Sequence, residues 1–162
     1  MIPDDPLDHP LELSPLDLSP LDLSPLELPD PNGEACEPFD SFVADLARAA
    51  DLCLRPHRHA LRFSGQEAGR VGDCSDCCLL IEARSKDGER LPELDLELEI
   101  YRSGKELNLM LTRLADEQAP LLWHGHHPVW MQAGSGERCE RPADGAPLEA
   151  FCRRVRALLS GE

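Results

Sequence analysis

Two stretches, ELDLELEIY (residues 93–101) and ELNLMLTRL (residues 106–114), alternate apolar and polar side chains almost one for one. A period of two suits a strand with one face buried, and no helix can place such a pattern on a single face. Between them stands Arg-Ser-Gly-Lys, and the dipeptide Ser103-Gly104 suits a two-residue hairpin turn. Setting Arg102 opposite Lys105 then predicts Ile100 facing Leu107, Leu98 facing Leu109 and Leu96 facing Leu111. The other face would pair Tyr101 with Glu106, Glu99 with Asn108, Glu97 with Met110 and Asp95 with Thr112. A slip of one residue would send the leucines to opposite faces, so turn and pattern support one another.

The hairpin needs elements to cover its apolar face. In EPFDSFVADLARAADLC, residues Phe39, Phe42, Val43, Leu46, Ala50 and Cys53 fall on one helical face, with Pro38 suited to the first turn. Near the C-terminus, Leu148, Phe151, Cys152, Val155, Leu158 and Leu159 repeat that spacing. CCLLIEARS reads as a strand running into the Asp87-Gly88 turn, HALRF as an edge strand, and APLLWH and PVWMQ as one or two more. The expected fold class is α+β. It is an antiparallel meander sheet of about four to six strands, with an N-terminal and a C-terminal amphipathic helix packed on one face.

This domain should occupy residues 35–162. Residues 1–34 are of another kind. They hold nine acids, no Lys or Arg, and the repeated phrase Pro-Leu-acid-Leu-Ser. Proline removes a backbone donor and biases its predecessor toward extended geometry, so a five-residue proline spacing breaks both helix and central strand. A disordered acidic tail is the expectation.

Of the net charge of −15, the tail carries −9, and the remaining 22 acids face 16 basic residues. Both parts would repel a phosphate backbone or an anionic lipid surface, so neither nucleic acid nor membrane is an expected partner. No apolar run reaches bilayer length, and MIPDDPLDHP carries acids where a secretion signal needs basic and then apolar residues. A soluble, cytoplasmic protein is expected, and Arg outnumbering Lys 14 to 2 suggests a GC-rich bacterial genome. Seven cysteines without framework spacing argue against a disulfide scaffold.

Three groups could carry chemistry. Cys74 and Cys77 form a C-x-x-C step, and an H-x-H in a strand points both rings to one side. Cys74, Cys77, His124 and His126 (or His127) could therefore supply four zinc ligands. Only one such knuckle is present, and Cys77 and Cys78 also suit small buried positions in an apolar strand. Redox activity is less expected, because a strand pattern and not a helix follows the C-x-x-C. The acids Asp95, Glu97, Glu99 and Glu106 read as a solvated sheet face. No catalytic triad, phosphate loop or H-E-x-x-H helix is present, so an enzyme is not expected.

Trp123 and Trp130 are candidates for a binding surface, although both also fit the core. In the tail, Leu16, Leu18, Leu21 and Leu23 offer repeated apolar contacts beside acids, suited to a partner whose apolar surface is rimmed with basic residues. The sequence is thus read as a non-enzymatic protein-binding, adaptor or chaperone-like protein with no cofactor. A zinc-binding regulatory protein is the alternative. Small size, acidity and the helix–meander–helix order resemble the build of small secretion chaperones, without a motif of that family.

Overall fold

The computed structural model describes residues 37–64 and 76–161, with side chains from Asp40 onward. The tail over residues 1–34, and Leu16, Leu18, Leu21, Leu23 and Cys74 with it, lies outside the described residues. Helix α1 (Glu37–Cys53) leads into strands β1 (Arg58–Phe63) and β2 (Asp76–Arg84). A short 3-10 turn (Pro92–Leu94) precedes β3 (Leu96–Ser103), β4 (Glu106–Arg113), β5 (Leu121–His124) and β6 (Pro128–Met131), and helix α2 (Gly145–Ser160) follows. All five pairings are antiparallel, in the order β1-β2-β3-β4-β5-β6. This is the expected α+β meander, with β1 at one edge.

The two amphipathic helices share one face of the sheet. Leu46, Ala49 and Ala50 of α1 and Phe151, Cys152 and Val155 of α2 are buried in one cluster with Leu79, Ile81, Leu98, Ile100, Leu109 and Leu122. Burial of each large apolar side chain contributes roughly 1.5–3 kcal/mol, so this cluster is the main favourable term of the fold. Helix α2 stops at Gly161, whose φ of 69° is left-handed and whose N–H bonds the carbonyl of Ala157.

The β3–β4 register departs from expectation by two residues. The turn residues are Gly104 and Lys105, Ser103 stands opposite Glu106, Ile100 opposite Leu109 and Leu98 opposite Leu111. Gly104 takes φ 62°, so the one residue without a Cβ fills the first turn position, where a positive φ is needed. A shift of two preserves side-chain parity, so every leucine stays on its expected face. On the opposite face the pairs become Tyr101–Asn108, Glu99–Met110 and Glu97–Thr112.

The alternation also stops sooner than expected. Leu94 belongs to the 3-10 turn, and Asp95 is buried where a solvated position was expected. Its Oδ1 accepts the Ala83 N–H at 2.9 Å, and both its oxygens receive the Arg90 guanidinium at 2.8 and 2.7 Å. The fork explains the burial: a carboxylate leaves water only where donors replace it. The Arg90 guanidinium is the main reason the Asp95 carboxyl is held below the usual range; burial opposes it, and the Ala83 N–H and the Arg62 charge add to the lowering.

Candidate functional site: the open face of the sheet

Because both helices lie on one side, the other side of the meander is free of them. Strand parity fixes which residues it presents. One row crosses five strands as Cys78, Glu99, Met110, Trp123 and Val129. A second runs Arg62, Leu80, Glu97 and Thr112. Leu80, Tyr101, Met110, Trp123, Val129, Glu97 and Glu99 are all half-buried. The expected solvated acidic face is therefore mixed, with apolar and aromatic groups over β4–β6 and acids over β2–β3.

Trp123 is the centre of the apolar part. Its indole N–H donates to the Tyr101 hydroxyl at 2.9 Å, a contact that reaches across β4 to β3 and orients both rings. The ring also lies over Gly125, where an added Cβ would meet Trp123 Cη2 at 2.7 Å. That close approach needs a residue without a side chain.

The acids differ in how they are compensated. Glu82 has Arg62 at 2.9 Å, Arg90 at 3.7 Å and Arg84 at 3.8 Å. Among the described residues, Glu97 and Glu99 have no cation within ion-pair distance, and Glu97 accepts from the Ser64 hydroxyl at 3.4 Å and from the Cys78 thiol. Their charge is felt locally: burial first, then Glu97, pushes the Cys78 thiol up to about 11. Cys152, in the core, is pushed up to about 12, mainly by burial. Both thiols stay protonated at neutral pH, which is the inert state.

The residues considered for zinc are placed apart. Cys77 lies on the helix-facing side, in one row with Ile100, Leu109 and His124. Three interstrand steps of about 4.8 Å separate it from His124, roughly 14 Å in all. His124 points inward and is buried, while His126 is exposed, 3.3 Å from Glu106. Two rings of an H-x-H point to one side only where a strand runs through both, but β5 ends at His124 and residues 125–127 form the bend to β6. Among the described residues, no group of three or more His, Cys, Asp or Glu is placed to hold a metal ion.

The two tryptophans also part company. Trp130 is buried between sheet and α2, its indole N–H donating to Glu149 Oε1 at 2.9 Å. Trp123 alone faces outward. A family model with the description "Domain of unknown function (DUF8659)" matches residues 43–158, a span that runs from within α1 to near the end of α2. The chain belongs to the DUF8659 family. Comparison with curated proteins found no match, and comparison with solved structures found none. The DUF8659 match takes in every strand of the meander and so the whole open face. No helix among the described residues is long and apolar enough to cross a membrane.

Sequence reasoning missed Leu80 and Val129 as members of this face. CCLLIEA is apolar on both sides of the strand, so its parity could be read only after pairing with β3. The signal that did exist was the turn between β5 and β6, which puts Trp123 and Val129 opposite one another.

Proposed function

We propose that this DUF8659 protein is a non-enzymatic binding or adaptor module that engages a protein partner through the open face of its sheet. The observation that carries this reading is the row Glu99, Met110, Trp123 and Val129, uncovered by either helix and bordered by the uncompensated carboxylates of Glu97 and Glu99. An oriented Trp–Tyr pair beside Met and Val is the composition of a binding hot spot, since aromatic groups bury much area at little entropic cost. The two carboxylates select the partner's chemistry: an apolar surface edged by Lys or Arg. In the same reading, the Leu-acid-Leu units of the tail, with Leu16, Leu18, Leu21 and Leu23, add weak repeated contacts of matching chemistry.

Affinity capture from an extract of the source organism tests this, using wild-type protein beside Trp123→Ser and Glu99→Lys. Both variants should keep the wild-type circular dichroism spectrum. A partner retained by wild type, lost by Trp123→Ser, and released from wild type by moderate salt supports the reading. Retention of the same proteins by all three would overturn it. Deleting residues 1–34 should weaken capture without abolishing it.

A further inference from the structure

On the helix side of the sheet, a cleft of ≈ 270 Å³ opens between the β5–β6 bend and the last turns of α2. Its lining includes His124, His126, His127, Arg153 and Arg156. His124 is the unusual member. It is only 2 % exposed, its Nδ1 lies 2.9 Å from the Gly125 carbonyl, and its Nε2 is buried with no hydrogen-bond partner among the described residues.

The chemistry of the ring follows from those contacts. A carbonyl oxygen can only accept, so Nδ1 carries the proton and donates to Gly125. In the neutral ring Nε2 is then a lone-pair acceptor. Burial, together with the positive charges of Arg156 and Arg153, favours the neutral form. A buried acceptor without a donor costs free energy, so a small shift that opened Nε2 to the cleft would let an O–H or N–H group there recover it.

The rest of the lining asks for negative charge. Arg153 donates from Nη2 to Glu149 Oε2 at 3.0 Å, and Arg156 donates from Nη1 to the Leu107 carbonyl at 2.7 Å. Each guanidinium is held by one nitrogen and has further donors in its fork. Glu149 offsets part of the charge of Arg153, but it is also held by Trp130 and lies 3.5 Å from Arg141. His126 and His127 stand exposed beside the mouth. A ligand must therefore present anionic oxygens to Arg153 and Arg156 and, on the same small group, a proton for His124 Nε2.

We propose that this cleft is a binding site for a phosphate group that keeps one protonated oxygen, with His124 Nε2 accepting that proton's hydrogen bond and Arg153 and Arg156 binding the remaining oxygens. Hydrogen phosphate and the monoanion of a phosphate monoester both satisfy the demand. Sulfate matches phosphate in shape, but it is fully deprotonated at neutral pH and offers no donor. Discrimination between the two anions is therefore the signature of His124. The site lies across the sheet from Trp123, so it is independent of the partner surface proposed above.

Calorimetric titration of full-length protein at low ionic strength and pH 6.5 reads this directly, with inorganic phosphate, O-phosphoserine and sulfate as probes. Phosphate should bind roughly tenfold more tightly than sulfate, the worth of one hydrogen bond involving a charged group. With affinities expressed per concentration of anion that keeps a protonated oxygen, tighter binding of O-phosphoserine (second pKa about 6) than of inorganic phosphate would identify a monoester as the source, and the reverse order the free anion. Arg153→Gln should weaken phosphate and sulfate alike and leave their ratio unchanged. Because His124→Phe could disturb the core, imidazole ¹⁵N shifts of the wild-type protein give the second readout. The His124 Nε2 resonance should move with phosphate and stay fixed with sulfate. Equal affinity for the two anions, no binding of either at millimolar concentration, or an unmoved Nε2 resonance would each overturn the proposal.

Discussion

Trp130 on β6 and Glu149 on α2 are joined inside the core by a 2.9 Å hydrogen bond from the indole N–H to Oε1. Glu149 is 7 % exposed, and Arg153 at 3.0 Å and Arg141 at 3.5 Å reach the same carboxylate on Oε2. Burial works against its ionisation, yet the Trp130 bond and the two guanidiniums together hold its carboxyl below the usual range. This is a polar clamp between the last strand and the last helix. It also explains why Trp130 is unavailable to a partner.

Trp130→Phe should therefore destabilise the domain by about 2–4 kcal/mol, combining lost packing with a buried carboxylate short of one donor. Urea unfolding checks it. In a double-mutant cycle with Glu149→Met, which removes the acceptor, a coupling of about 1 kcal/mol is expected, and additive losses would show that the bond carries little of the cost.

The hairpin gives a paired test of which face is which. Leu98 is fully buried opposite Leu111, while Glu97 lies on the open face opposite Thr112. Leu98→Asp should unfold the domain, since an unpaired buried carboxylate costs several kcal/mol, roughly a large part of a domain's margin. Glu97→Leu should keep the fold and lower solubility. Circular dichroism and sedimentation of the two variants distinguish the faces, and reversed phenotypes would contradict the strand parity.

That parity was legible from sequence because leucines at 96, 98, 107, 109 and 111 are two apart, whatever the pairing. The register was not, because a displacement of two residues leaves the same pattern on the same face; only the conformation of Gly104 decides it. The same limit hid the site. Trp123 and Met110 alternate correctly, but Leu80 and Val129 join them only through pairing, and strand pairing is a tertiary fact. Asp95 was misplaced for a related reason. Its fork with Arg90 closes over a turn whose path depends on Pro92 and on the Ala83 N–H, neither of which has a periodic signal. The inward turn of His124 and the outward turn of His126 likewise follow from where β5 ends.

Two buried imidazoles set the pH dependence between about 5 and 7, above the range in which carboxylates titrate. At His124, burial lowers the pKa, the Gly125 carbonyl opposes this, and Arg156 and Arg153 add to the lowering. At His59, burial again lowers it, Asp51 at 3.1 Å opposes, and His57 adds a little. For both rings the folded value lies below the unfolded one of about 6.5. In the window between the two values the unfolded chain binds more protons, so stability rises with pH there. Stability should thus be full above about pH 6.5 and fall as pH drops toward the folded values, by at most about 1.4 kcal/mol per pH unit for each ring. Urea unfolding at half-unit intervals measures the slope. His124→Phe should reduce that slope and leave the part due to His59, and a flat profile in the wild type would contradict both shifts.

Gly125 offers a way to disturb the open face without touching a residue that a partner would contact. An alanine there would place its Cβ 2.7 Å from Trp123 Cη2 and 3.1 Å from Cζ2, closer than such atoms approach. The obstacle is the far edge of one indole on a face that neither helix covers, so the ring should swing away and the backbone should hold. Swinging breaks the 2.9 Å bond to the Tyr101 hydroxyl and removes the ring from its shelf beside Met110 and Val129. Both polar groups lie where water can replace the lost partner, so the stability cost should be modest, about 1 kcal/mol. The ring's environment should change much more. Trp130 is buried on the other side of the sheet and serves as an internal reference. Gly125→Ala should therefore red-shift the tryptophan emission and raise the fraction quenched by acrylamide, with the unfolding midpoint nearly unchanged. The same variant should lose partner capture as Trp123→Ser does. An unshifted spectrum would mean that the ring does not rest on Gly125, and an intact capture profile with a shifted spectrum would remove Trp123 from the binding surface.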